Sequence, residues 1–248
     1  MVYRKVVAVA GPEVDVAPTA RSLTEQVYDH LLELILNAEL RPGSMVLEPS
    51  LASYFGVSKT PVREALRMLT HDGWVVTIPR KGYLIKPLQL ADISEVFGLR
   101  MMIEPALFAE AARQASADSL NTLRAQVERQ GDESASLSES LQAAREFHLL
   151  GAALSRNRRA GEVVSGLLHE IRRLHHLMPE ISGHISSAEE VKAHTEILAA
   201  VQRRDPDAAA ERMREHLAEV SQVLVAQFAG IQVGPSKPPR RLPSGLSG

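Results

Sequence analysis

Residues 51–66 read Leu-Ala-Ser-Tyr-Phe-Gly-Val-Ser-Lys-Thr-Pro-Val-Arg-Glu-Ala-Leu, and this stretch decides the fold. It gives a short helix from about Ser50 to Phe55, a turn at Gly56, and a second helix from about Ser58 to His71. Upstream, Ser22 followed by Glu25 is a capping-box pattern. It opens a helix with Leu23, Val27, Leu31, Leu34 and Ile35 on its inner face, and Arg41-Pro42-Gly43 ends that element in a turn. Downstream, Asp72-Gly73 breaks the helix and Trp74–Ile78 is a short β-rich run. Pro79–Gly82 turns, and Tyr83–Ile85 makes a second strand. Helix, helix, turn, helix and a two-stranded hairpin make a winged helix-turn-helix over residues 21–86.

From Leu88 to Phe228 the signals are helical only. The pattern predicts helices over 90–114, 117–130, 137–155, 158–178, 187–203 and 206–229, a six-helix bundle within a domain spanning 87–229. Ser187 with Glu190 reads as another capping box, and Asp205-Pro206 as an N-cap with proline at the first helical position. Residues 1–20 read as a flexible arm. Residues 230–248, rich in Pro, Gly and Ser, read as a disordered tail with too little apolar surface to offset ordering. The fold class is therefore mainly α: an N-terminal winged helix-turn-helix with a small β-hairpin wing, then a C-terminal all-α helical bundle.

Composition removes several function classes. The 248 residues include no cysteine, which excludes disulfide scaffolds, thiolate zinc sites and thiol catalysis. The apolar run Val6–Ala10 is five residues long. A signal peptide needs about 7–15 apolar residues and a membrane helix about 20. The expectation is a cytoplasmic protein without a membrane partner.

Charge is uneven along the chain. Residues 58–86 hold six basic groups (Lys59, Arg63, Arg67, Arg80, Lys81, Lys86) against two acidic ones, net +4 in a chain of net -2. Double-stranded DNA is the partner this asymmetry fits. A helix N-terminus points N–H groups at phosphates, and Ser58, Lys59, Thr60 and Arg63 occupy the first turns, where a reading helix reaches base edges. Arg63 can offer two parallel donors to guanine. Lys59, Arg80 and Lys81 suit phosphates or the minor groove. Arg67 either touches phosphate or pairs with Glu64 or His71, and Trp74 belongs in the core.

The bundle carries ionisable residues on apolar stripes. One helix reads Ile93, Phe97, Arg100, Glu104, Leu107, Ala111 at alternating spacings of four and three. His148 follows Leu137, Leu141 and Ala144; His194 lies with Val191, Leu198 and Val201; His216 lies with Ala209, Met213, Val220 and Val223. Three histidines thus project from the apolar faces of three helices, and each needs a partner there. One divalent metal, zinc or nickel, would satisfy all three rings. Separate bonds to carbonyls or carboxylates would also serve. His169, His175, His176 and His184 read as surface or structural residues.

Two resemblances sharpen this reading. Leu40-Arg-Pro-Gly, the Leu51–Leu66 stretch, Asp72-Gly-Trp and Arg80-Lys-Gly-Tyr together resemble the GntR family of repressors. That resemblance places DNA contacts on Ser58, Lys59, Thr60, Arg63 and the wing tip Arg80–Gly82, whereas Pro49 stands where some members carry a basic residue. Arg100-x-x-x-Glu104, Phe147-His148 with Asn157 downstream, His194 and His216 resemble the FCD ligand-binding domain of the FadR subfamily. In many members an Asp four residues before the first histidine joins three histidines around a metal, above a pocket for a small organic acid. Here that position is Ala144, and Glu146 is about 200° further round the helix.

The resulting expectation is a homodimeric repressor, not an enzyme. It would bind a pseudo-palindromic operator and respond to a small carboxylate held near Arg100 and Glu104, with His148, His194 and His216 as metal ligands. A constitutive DNA binder without effector and a metal-dependent hydrolase are the alternatives; no Glu or Asp stands at motif spacing to act as a general base for the latter.

Overall fold

The computed structural model describes residues 21–178 and 187–233. The predicted arm over 1–20, the tail beyond 233 and His184 lie outside the described residues. The chain divides into two compact units, the first ending at Leu88 and the second beginning at Gln89.

The first unit opens with α1 (Leu23–Leu36). Its capping box forms reciprocally: Ser22 N donates to Glu25 Oε2 at 2.7 Å, and Glu25 N donates to Ser22 Oγ at 3.2 Å. Then come β1 (Met45–Val46), α2 (Glu48–Phe55), α3 (Lys59–His71), β2 (Val75–Ile78) and β3 (Gly82–Ile85). Helix α2 starts two residues earlier than the sequence predicts, because Pro49 has the φ a first turn needs and no N–H to leave unsatisfied there. Gly56 ends α2 in the left-handed region at φ 66°.

The sheet has three strands in the order β1-β3-β2, not the predicted two. Met45 pairs with Leu84 and Val46 with Tyr83, both antiparallel. A two-residue strand carries no readable alternation, so only its partner reveals it. Gly82 (φ 106°) sits where β3 meets β1, and a Cβ there would lie 2.7 Å from Val46 O. Val27, Leu31, Ile35, Val62, Leu66 and Trp74 form the core of this unit. Burying each such aliphatic side chain contributes about 1.5–3 kcal/mol before ordering costs.

The second unit is helical throughout its described residues: α4 (Leu90–Gln114), α5 (Ala117–Gln130), α6 (Leu137–Leu154), α7 (Arg158–Leu177), α8 (Ala188–Gln202) and α9 (Pro206–Val233). Asp205 Oδ1 accepts from Ala208 N at 3.0 Å, the cap expected before Pro206. Helix α9 runs through Gly230 to Val233, past the helix end expected at 229. Helices α4 and α9 share the most extensive packing, and α6 crosses α4 where Gly151 meets the Phe108 ring. A side chain at 151 would overlap that ring, so this glycine sets how closely the two helices approach. No helix among the described residues is long and apolar enough to cross a membrane.

Candidate functional site

The exposed side of α3 is the polar half of an amphipathic helix. Val62, Ala65, Leu66 and Leu69 are buried, and Ser58, Lys59, Thr60, Arg63 and Arg67 are exposed. Ser58 is the N-cap residue and its hydroxyl makes no capping bond. Arg80 and Lys81 are exposed at the wing turn, with Arg80 in the left-handed region at φ 63°. Arg67 Nη1 lies 2.8 Å from Glu64 Oε1, one of the two partners its sequence position offered. Arg63 is paired as well, with Glu48 of α2 at 2.8 Å, which sequence reading did not anticipate. Glu48 lies fifteen residues away, outside any helical spacing.

In the second unit the three histidine stripes converge. His148 (α6), His194 (α8) and His216 (α9) are all buried. Their Nε2 atoms form a nearly equilateral triangle: 3.2 Å for His148–His194, and 3.3 Å for both His194–His216 and His216–His148. Three nitrogens bound tetrahedrally at about 2.0–2.1 Å would be separated by about 3.3 Å. The donor set therefore fits a zinc-sized cation.

The other ring nitrogens fix the tautomers. His148 Nδ1 donates to Glu104 Oε2 at 2.6 Å, and His194 Nδ1 donates to Gln130 Oε1 at 2.6 Å. Both Nε2 atoms are then left with lone pairs facing inward. Among the described residues His216 Nδ1 has no hydrogen-bond partner, and the carboxylate facing it is that of Glu190, whose Oε2 is 3.6 Å away. Burial pulls all three imidazoles down, His194 and His216 well below their ordinary value, so the rings are neutral near pH 7.

Arg100 and Glu104 stand beside this triangle. Arg100 Nε donates to Glu104 Oε1 at 2.5 Å, and Arg100 Nη2 is 3.4 Å from His148 Nε2. The guanidinium also lies over the Phe97 ring, 5.1 Å from its centroid. Burial alone would raise Glu104, but Arg100 and His148 outweigh it and hold the carboxyl well below the usual range. Both Glu104 oxygens are engaged, and the residue is fully buried.

Sequence reading missed Gln130 and Glu190. Gln130 interrupts the apolar stripe Leu123, Val127, Gln130, and that interruption is the signal that would have found it. By sequence Glu190 reads as the second half of a capping box. Ser187 does accept from Glu190 N at 3.2 Å, but the Glu190 side chain turns inward, with Oε1 3.9 Å from His194 Nε2. Its place four residues before His194 on the same helix face was the available clue. Burial pushes Glu190 up to about 8. Ala144 is buried one turn before His148, while Glu146 pairs with Arg145 at 3.3 Å.

A winged helix-turn-helix followed by a helical bundle with a buried polar centre defines a two-domain transcription regulator rather than an enzyme. Residues 23–85 match the bacterial regulatory proteins of the gntR family, and residues 95–219 match the FCD domain. The chain belongs to the GntR family, in its FadR-like branch with an FCD domain. It is similar to the HTH-type transcriptional repressor RspR of Escherichia coli K12, 26% identical over 213 residues, covering 85% of this chain and 92% of the relative. It is 31% identical over 141 residues to the Nta operon transcriptional regulator of Aminobacter aminovorans, covering 56% of this chain and 67% of the relative. Among solved structures, E. coli McbR/YncC superposes with a TM-score of 0.70 at 22% identity, covering 84% of this chain and 99% of that one. A GntR regulator from Rhodococcus sp. RHA1 gives 0.69 at 24% identity, with 83% and 99% covered.

Proposed function

We propose that this regulator is a homodimeric repressor whose operator affinity is set by a small organic acid bound in the C-terminal bundle. The observation that carries the effector half is the triangle of inward-facing Nε2 atoms beside a buried guanidinium. His148, His194 and His216 would hold zinc or nickel through Nε2. Bound there, the ion would supply a Lewis-acid position to which an effector carboxylate can coordinate. With Ala144 in place of an aspartate, three neutral ligands leave the cation its full charge, so metal and anionic acid should bind each other's complex more tightly than either binds alone. Arg100 holds the acid, and Glu104 orients Arg100 and His148 rather than touching the ligand.

At the other end, Ser58, Lys59, Thr60 and Arg63 meet the major groove. Arg67, Arg80, Lys81 and Gly82 follow the backbone and minor groove. Dimerisation has support on α4: Leu99, Met102 and Ala106 form an exposed row at helical spacing, and Met102 is 77% exposed. A second copy covering that row would set the separation of two reading heads on a pseudo-palindrome. Regulation then requires only that the acid bind more tightly to one dimer geometry than to the other.

The test is metal content of the purified protein and of His148→Ala, His194→Ala and His216→Ala. Near one metal per chain in the wild type, lost in each variant, is the expected result. Citrate-like or sugar acids should then raise metal affinity and release DNA. Absence of metal after loading, with no acid altering DNA binding, would leave a constitutive DNA binder.

A further inference from the structure

The pairing of Arg63 is two-toothed. Its Nε lies 3.0 Å from both carboxylate oxygens of Glu48, and its Nη2 lies 2.8 Å from Oε2. Glu48 begins α2 and is itself anchored from the wing side: the Tyr83 hydroxyl, on β3, donates to Glu48 Oε1 at 3.0 Å. Three elements of the first unit meet at this carboxylate. Its side chain is 19% exposed, against 47% for Arg63.

A guanidinium offers two bidentate edges, the side edge Nε/Nη2 and the end edge Nη1/Nη2. Glu48 occupies the side edge. The end edge stays available, and it matches the O6 and N7 acceptors of guanine. An arginine without this partner would be free to swing onto any phosphate within reach.

We propose that Glu48, held by Tyr83, is a specificity-determining positioning residue that presents only the end edge of Arg63 to the base pairs. The proposal rests on α3 being the helix that enters the major groove. Two consequences follow from the chemistry. The clamp orders a long, flexible side chain before DNA arrives, so less freedom is lost on binding. The carboxylate also sets a negative charge beside the phosphates, which weakens binding to every duplex while leaving the guanine contact intact. The protein gives up non-specific affinity and gains discrimination.

The experiment compares the duplex that the full-length wild-type protein enriches from a randomised library with a scrambled duplex, across a salt series. Glu48→Gln removes the charge with little change in shape, and Tyr83→Phe removes only the hydroxyl. Glu48→Gln should bind the scrambled duplex more tightly, steepen its salt slope by about one unit, and cut the specificity ratio about tenfold. Tyr83→Phe should move all three the same way by less, and it carries the test if Glu48→Gln fails to fold. In the Arg63→Ala background Glu48→Gln should leave the ratio unchanged, because the clamp then has nothing to hold. An unchanged ratio and slope in both Glu48→Gln and Tyr83→Phe, alongside relaxed base preference in Arg63→Ala, would overturn the proposal and leave the reading of α3 standing. Intact base preference in Arg63→Ala would instead overturn that reading, and the proposal with it.

Discussion

Glu104 and His148 are joined across two helices by a 2.6 Å bond between Oε2 and Nδ1, and both are buried. This bond decides which nitrogen of His148 faces His194 and His216. Removing the acceptor's charge should therefore weaken metal holding without touching a ligand atom. Glu104→Gln is expected to lower metal affinity about 10- to 100-fold, the usual cost of losing such a supporting carboxylate. Metal titration with a competing chelator reads this directly, and unchanged affinity would remove Glu104 from the supporting role.

Ala144→Asp should act in the opposite direction. An aspartate one turn before His148 adds an anionic oxygen on the buried side of α6. Metal affinity should rise by at least about tenfold, and the extra affinity conferred by citrate-like acids should shrink, because the charge they neutralise is already met. Equal acid dependence in both proteins would argue against a carboxylate bridging the metal.

Acid should destabilise the metal-free protein. His148, His194 and His216 are held below their ordinary value in the folded state, so the unfolded chain binds more protons as pH falls through about 6.5. Each contributes a loss of up to about 1.4 kcal/mol per pH unit below that point. Glu190, raised to about 8, has the opposite sign: its folded form keeps a proton that the unfolded chain gives up, so its contribution falls as pH rises from about 4.5 towards 8. Three histidines against one glutamate predict a net drop in Tm from pH 7 to pH 5. His216→Asn should flatten that slope, and an unaltered slope would mean His216 titrates normally.

Gly151→Ala should cost about 1–3 kcal/mol, because the new methyl would overlap the Phe108 ring and drive α6 away from α4. Since His148 lies on α6 and Glu104 on α4, metal affinity should fall together with Tm. A loss of stability alone would mean the helices repack locally around the methyl.

Met102→Asp should leave the fold intact and break the proposed dimer, since Met102 is exposed within the chain. Sedimentation should then give a monomer, with half-site binding retained and binding to the full operator reduced. A persistent dimer would place the interface elsewhere.

Much of this protein was legible in the chain itself. Capping residues, the proline that opens α9 and apolar spacing marked most helix ends, because those signals act within one or two turns. The amphipathic pattern of α3 identified its exposed residues, and three histidines on apolar stripes announced a buried polar centre. The short strand β1, the start of α2 and the passage of α9 through Gly230 were not readable. A two-residue strand depends on its partner, and a helix can run through glycine when neighbouring residues sustain it. The histidine triangle, the Gln130 and Glu104 bonds that set its tautomers, and the Glu48–Arg63–Tyr83 clamp belong to the tertiary structure alone. Each joins residues separated by fifteen to sixty-eight positions. Local sequence determines which face of a helix is apolar, but only packing decides which polar atoms that face brings into contact with one another.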